Sequence, residues 1–262
     1  MLAVERRNLI LEKLQEEKKV VVSELSALFC VSEETIRRDL DRLDKEGLAS
    51  KSYGGAILNE NSGFDMPFNV RKKRNMEGKR AIAGLVEGLV QEGEHIILDP
   101  STTAVAIVKA LKGRRRLTVI TNSIEVLVEL SDVSGWDIIS TGGTLRESYL
   151  ALVGSRAVNG ISSFYADKVI LSCKGIDRQR GITDSNEMFS EVKQAMLRAA
   201  KQRILAVDHT KFDNVAFSQI GEISDVDMVV TDRFPGREWI EYFAEKGIEC
   251  LYAQQDIESL YT

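Results

Sequence analysis

Apolar residues at the start of the chain recur at helical spacing. Val4, Leu9 or Ile10, Leu11 and Leu14, with charges between them, predict a helix over residues 4–17. The run KKVVV that follows has strand character. Ser23 suits the N-cap of a second, short helix, ELSALF, with Leu25, Leu28 and Phe29 on one face. Cys30 and Val31 make a turn, and Ser32 caps a third helix that reaches about Glu46 and is stopped by Gly47. In that helix Ile36, Leu40 and Leu43 fall at i, i+4 and i+7 and form one buried stripe. At about 100° per residue, Glu34, Arg37, Arg38 and Asp41 fall on the opposite side. The acids Asp39, Asp41, Asp44 and Glu46 are expected where the helix moves away from a bound partner. LASKSYGGAIL then alternates, turns at Gly54-Gly55 and alternates again, as a small β-hairpin does. Three helices, the last two separated by a tight turn, then a hairpin: residues 1–58 predict a winged helix-turn-helix.

Residues 59–75 show no period and cluster Asn, Gly, Ser and Pro, as a linker does. From residue 76 to 262 the texture changes. Short apolar runs at 95–99, 117–121, 137–141, 167–173, 203–208, 227–232 and 248–252 alternate with helical stretches at 77–90, 102–112, 123–130, 190–202 and 237–247. Strand, helix, strand repeated in this way predicts a mostly parallel sheet covered on both faces. The fold class is therefore α/β, with a small winged-helix domain ahead of a larger α/β domain.

Composition narrows the function classes. A charged fraction of 29% and a hydrophobic fraction of 44% are ordinary for a globular protein. Three cysteines, Cys30, Cys173 and Cys250, form no Cys-x-x-Cys pair, which fits a reduced, cytoplasmic setting. No apolar run approaches the ~18 residues of a membrane span, and the charged amphipathic N-terminus is unlike a signal peptide. Two histidines, His95 and His209, argue against a multi-histidine metal site, and no metal or cofactor is expected.

Net charge is −5, and residues 1–58 hold ten Lys/Arg against eleven Asp/Glu. Binding to nucleic acid therefore has to be argued from where cations point, not from their sum. The third helix, second of the helix-turn-helix pair, is the one expected in a major groove. Ser32, Thr35, Arg37 and Arg38 in its N-terminal half face the duplex, and Lys51 and Tyr53 on the hairpin reach the backbone beside it. The basic run Arg71–Arg74 fits either a phosphate contact or an exposed helix start.

In the larger domain the residues after the strands carry the chemistry. They are DPSTT (99–103), TNS (121–123), TGGTL (141–145), CKGID (173–177) and DHTK (208–211). Ligands of open parallel sheets bind at such carboxyl edges. Ser101, Thr102 and Thr103 open a helix whose N-terminus attracts an anion. Lys174, Lys211 and Arg146 could add positive charge, and Asp99 and Asp177 could bind hydroxyls. Each loop alone could be a mere cap or turn; five on one edge point to a phosphorylated small molecule. Neither a Walker loop nor a Gly-x-Gly-x-x-Gly occurs.

The stretch VSEETIRRDLDRLDKEGLASKSYGGA, Val31 to Ala56, resembles the DNA-binding signature of the DeoR family of bacterial transcriptional regulators. The resemblance extends to the loops at Asp99, Thr121–Ser123, Gly142-Gly143, Gly175–Asp177, Gly181–Thr183 and Asp208–Lys211. It implies a sensor domain similar in fold to ribose-5-phosphate isomerase. It also implies a repressor of a sugar-utilisation operon that leaves double-stranded operator DNA when a phosphorylated sugar binds, and a homo-oligomer, dimer or tetramer. Thr121, Asn122, Ser123, Gly142, Gly143 and Gly175 join the expected effector site on this ground. Two departures stand out. Ser101 replaces the usual glycine of the first loop, and the wing reads Lys-x-Tyr-Gly-Gly rather than Arg-x-His-Gly-Gly. Lys174 and Asp184–Glu187 are expected to set which sugar is read.

Two other readings remain open at this level. One is a sugar-phosphate isomerase using Asp99, Asp177, Asp208, Lys193 and Lys211, although a DNA-binding half has no purpose in a pure enzyme. The other is an activator of the same kind of operon.

Overall fold

Helix α1 (Ala3–Glu17) ends where Lys18 turns left-handed, and strand β1 (Lys19–Val21) follows at once. These elements come from a computed structural model that describes residues 1–58 and 66–254, except the side chains of Gln15 and Ser148. Helix α2 (Val22–Phe29) begins a residue before the expected N-cap Ser23, which lies inside it. The physical reason is a long-range bond: the first helical amide, Val22 N–H, donates to the Gly54 carbonyl at 2.8 Å, so the wing satisfies that orphan donor and the helix starts before Ser23. Leu28, expected on the buried face, is exposed, while Leu25 is fully buried.

Cys30, left-handed at φ 52°, makes the tight turn into α3 (Glu33–Lys45). Ser32 caps it, its Oγ accepting from Thr35 N–H at 3.2 Å, and Gly47 at φ 66° lets the chain leave. Ile36, Leu40 and Leu43 are buried as the period requires. Strands β2 (Ala49–Ser52) and β3 (Gly55–Leu58) form the wing, and β1 adds to β3, giving the antiparallel order β1-β3-β2. Gly55 cannot be replaced here, because a Cβ on it would lie 1.9 Å from the Val20 carbonyl oxygen. Helix α4 (Phe68–Lys73) lies within the stretch expected as linker and puts Val70 into the same core as Ile10, Leu14 and Leu40. Residues 59–65 of that stretch lie outside the described residues. Met1–Arg74 forms one contact unit and Asn75–Thr262 a second.

The second unit opens with α5 (Met76–Leu89) and runs β4 (His95–Leu98), α6 (Thr102–Leu111), β5 (Thr118–Thr121), α7 (Ile124–Leu130) and β6 (Asp137–Ser140). A hairpin of β7 (Thr144–Arg146) and β8 (Ala151–Val153) leads to α8 (Ser155–Ser162) and β9 (Ala166–Leu171). Then come β10 (Gly175–Asp177), β11 (Gly181–Asp184), α9 (Glu187–Arg198), β12 (Ala200–Ala206) and β13 (Ser218–Gly221). The last elements are β14 (Met228–Thr231), α10 (Arg237–Lys246) and β15 (Glu249–Tyr252). Seven strands form one parallel sheet in the order β15-β14-β12-β9-β4-β5-β6. The chain starts this sheet at β4, builds outward to β6, then returns to β9 on the other side. The β4/β9 border is thus the switch point at which open sheets leave a crevice.

Helix α9 stops at Arg198, short of the expected residue 202, although Ala, Lys and Gln favour helix. Pairing with β9, Ala200 opposite Ala166 and Gln202 opposite Lys168, overrides that preference.

Candidate nucleic-acid interface and ligand crevice

On α3 the inward stripe leaves the other side chains outside. Arg37 and Arg38 are exposed and lean back along the helix to Glu33 (2.7 Å) and Glu34 (3.5 Å). Exposed pairs of this kind are worth ~0.3–0.5 kcal/mol, so both guanidinium groups exchange partners cheaply. Ser32 and Thr35 stand together, their hydroxyls 2.9 Å apart. On the wing, Tyr53 projects fully into solvent at the tip. Lys51 is engaged: its ammonium pairs with Asp41 and its N–H donates to the Asp44 carboxylate at 3.1 Å. The side-chain bond between Lys51 and Asp41 holds the Asp41 carboxyl below and the Lys51 ammonium above their ordinary values. Asp39 does not belong with the outward acids. It is buried against α1, 2.5 Å from Arg6 and 3.7 Å from Arg7, so it fastens the first helix to the third.

In the second unit the residues after β4 and β9 meet at the switch point. Asp99, at the end of β4, is wholly buried. Its Oδ2 accepts from Ser172 N–H at 3.0 Å, at the end of β9, and lies 3.1 Å from Lys193 Nζ of α9. Lys193 also pairs with Asp184 at 2.6 Å and donates to the Ser172 carbonyl at 2.7 Å. Burial alone would push the Lys193 ammonium down and the Asp184 carboxyl up. Their mutual charge outweighs it, raising Lys193 and lowering Asp184. Asp99 Oδ1 has no hydrogen-bond partner among the described residues. In the same surroundings burial pushes the Cys173 thiol up to about 12, so it stays protonated.

At the end of β5, Thr121 donates to the Leu98 carbonyl (2.8 Å) and accepts from Ser123 N–H (3.0 Å), while Ser123 caps α7. Asn122 Nδ2 donates to the Leu152 carbonyl at 2.8 Å, and its buried Oδ1 has no partner among the described residues. Ser101, in place of glycine, caps α6 by accepting from Ala104 N–H at 2.9 Å; Thr102 and Thr103 are buried behind it. The Ser101 hydroxyl therefore serves its own helix.

Gly142 and Gly143 both take positive φ, 68° and 124°, and a Cβ on Gly143 would approach the Val153 carbonyl oxygen to 2.8 Å. Gly175 passes so close to Asn214 that a Cβ would lie 2.2 Å from its carbonyl oxygen. Lys174, half-buried, ties to β11 through its N–H on the Thr183 carbonyl at 3.0 Å. Asp177 accepts from the Gln179 and Arg180 amides (2.9 and 2.8 Å), which closes the β10–β11 turn. Lys211 closes a single 3-10 turn, His209–Lys211, after β12. Burial raises the neighbouring Asp208 carboxyl, and the charge of Lys211, then bonds from Thr210, then Lys79, outweigh that and lower it.

Sequence reasoning placed Lys193 among acid-base candidates and missed its part as the cation between Asp99 and Asp184. The signal was present: Phe189, Lys193 and Met196 share one helical face, and a lysine on an apolar face needs buried carboxylates.

Residues 6–62 match the family described as DeoR-like helix-turn-helix domain, and residues 74–233 match the DeoR C terminal sensor domain. An uncharacterized HTH-type transcriptional regulator, YulB of Bacillus subtilis, is 41% identical over 232 residues, covering 88% of this chain and 90% of its own. The glycerol-3-phosphate regulon repressor of Escherichia coli is 33% identical over 235 residues, covering 90% and 93%. Among solved structures, ribose 5-phosphate isomerase A of Methanocaldococcus jannaschii matches with a TM-score of 0.40 and 14% identity, over 53% of this chain and 55% of that one. The two family matches, which together span most of the chain, and the relatives at 41% and 33% identity show the same thing: the chain belongs to the DeoR family of transcriptional regulators, a family of regulators and not of enzymes.

Proposed function

We propose that this protein is a cytoplasmic repressor of a sugar-utilisation operon, released from double-stranded operator DNA when a phosphorylated sugar fills the carboxyl edge of the sensor sheet. Residues 1–58 are the DNA-binding domain and 76–262 the sensor, joined by 59–75, whose helix α4 packs on the first of them. The observation that carries the effector reading is a pair of buried acceptors, Asp99 Oδ1 and Asn122 Oδ1, that lack hydrogen-bond partners among the described residues. Leaving such atoms unpaired costs ~1–3 kcal/mol each, and sugar hydroxyls are donors of the right kind. The α6 N-terminus beside them, with Lys174 and Lys211 on neighbouring loops, suits the phosphate. A relative is a repressor of a glycerol-3-phosphate regulon, which supports a phosphorylated effector of this class.

On the DNA side, Arg37 and Arg38 enter the major groove with Ser32 and Thr35, while Tyr53 and Lys51 meet the backbone. A symmetric dimer, or a tetramer built from it, reads two half-sites. Release requires only that the effector bind one state better than the other.

A thermal-shift screen of the full-length chain against phosphorylated sugars tests the effector half. A ligand at 100 times its dissociation constant adds ~2.7 kcal/mol, whereas the free sugar adds little. Arg37→Ala and Arg38→Ala test the DNA half. Each should weaken binding and make it less steeply dependent on salt, and unchanged affinity in both removes the groove assignment.

A further inference from the structure

The outward face of α3 carries a carboxylate that phosphate binding does not explain. Glu34 is the second residue after the cap Ser32, in the first turn, where side chains of a recognition helix meet base edges. With Ile36, Leu40 and Leu43 inward, Glu34 and Arg38 point almost directly away from the core. Their side chains are 64% and 79% exposed, among the most open on the helix. At 3.5 Å their contact is longer than a charge-assisted hydrogen bond, so Arg38 does not saturate the carboxylate. Glu33 is different: it is hydrogen-bonded to Arg37 at 2.7 Å and lies toward the side of the core stripe. A carboxylate on the face that meets a polyanion is repelled unless a donor receives it.

Major-groove edges offer two exocyclic donors, cytosine N4 and adenine N6. Adenine sets an N7 acceptor beside its amine, which repels a carboxylate. Cytosine presents its amine across the pair from guanine O6 and N7, the atoms an arginine grips. We infer that Glu34 is a base-reading residue that selects cytosine in each operator half-site, with Arg38 beside it on guanine. This rests on the groove assignment of α3 proposed above and adds to it a specificity that no arginine supplies.

The test is selection of duplexes from a randomised library, at one fixed salt concentration, by the full-length chain and its Glu34→Gln, Glu33→Gln and Arg38→Ala variants. The wild type should show a required cytosine in each half-site. Glu34→Gln should lower discrimination at that position by about 5- to 150-fold and move the preference toward adenine, which glutamine bridges through N6 and N7. Glu33→Gln should keep the cytosine. A Glu34→Gln variant that binds every sequence more tightly and keeps the same preferred base overturns the inference, since the carboxylate then only repels phosphate. A wild type with no cytosine requirement overturns it as well. If Arg38→Ala weakens binding while Glu34→Gln leaves base preference untouched, the groove assignment stands and the cytosine reading falls. If Arg38→Ala and Arg37→Ala both bind as the wild type does, the groove assignment itself falls.

Discussion

Lys193→Met removes a cation that bridges two buried carboxylates. Lys193 is 6% exposed, Asp99 0% and Asp184 2%. Both acids lie within 3.1 Å of the same nitrogen, which also donates to the Ser172 carbonyl. Methionine keeps the length of the apolar stem among Phe189, Val192 and Met196, so the loss is electrostatic rather than a cavity. Breaking a buried pair from one side costs ~3–5 kcal/mol, because an uncompensated charge stays behind. At ~2–4 °C per kcal/mol for a unit of roughly 150–250 residues, the sensor transition of the full-length chain should fall by about 6–20 °C at pH 7. The pH dependence separates this cause from poor packing. In the wild type, Asp184 is held below its usual range, and its contribution is present above pH ~4 and lost as pH falls through the depressed value. In the variant the two acids repel, and one takes up a proton at a raised pKa. The gap between variant and wild type should therefore narrow from pH 7 toward pH 4.5 in calorimetric scans. A Tm loss under ~2 °C, or a gap constant with pH, refutes the charge argument. Arg203→Met, which breaks a pair with Asp227 that is about one-third exposed, should cost under ~1 kcal/mol by comparison.

Two further outcomes follow from the same geometry. Gly55→Ala should destabilise the N-terminal unit by about 1–3 kcal/mol and loosen the β1–β3 pairing, because its Cβ meets the Val20 carbonyl. Gly54→Asn, at φ 79° with open space around it, should be tolerated, and equal losses in the two variants by circular-dichroism melts would contradict the account. The Tm of the wild type should also stay nearly level from pH 7 to 5 and drop below about pH 4. Asp184 and Asp208 are both depressed in the fold, so their contributions vanish only under acid. A fall that begins above pH 5 points to groups other than these.

Much of the architecture was legible because it rests on period and spacing. The stripe Ile36, Leu40, Leu43 and the apolar runs of the five inner strands carry their burial in the sequence, whereas the edge strands β6 and β15 are only half-buried at their centres. Ser32 was identifiable as a cap because its helix start stands free of other partners. Ser23 lies inside its helix because a long-range bond, Val22 N–H to the Gly54 carbonyl, starts the helix one residue earlier, and no local rule foresees that partner. The strands β7, β8, β10, β11 and β13 have three or four residues each, too short for alternation to show.

The crevice was legible as a set of loops, not as a network. Asp99, Asn122 and Lys211 were identified from their places after strands. Which atoms remain unpaired depends on Ser172, Leu152 and Lys193, brought in from distant segments. Asp39 illustrates the same limit on α3: its neighbours Arg37 and Arg38 turn outward, while Arg6, far back in sequence, draws it inward.

A phosphorylated sugar on the sensor sheet should weaken the grip of α3 on DNA. Fluorescence anisotropy of the full-length protein on its operator fragment, titrated with each sugar phosphate and with the matching free sugar, tests it directly. One sugar phosphate should lower operator affinity by about 5- to 150-fold, the range of ordinary coupling between sites, with the free sugar ineffective. An affinity that no phosphorylated sugar changes, or that the free sugar lowers equally, would contradict it.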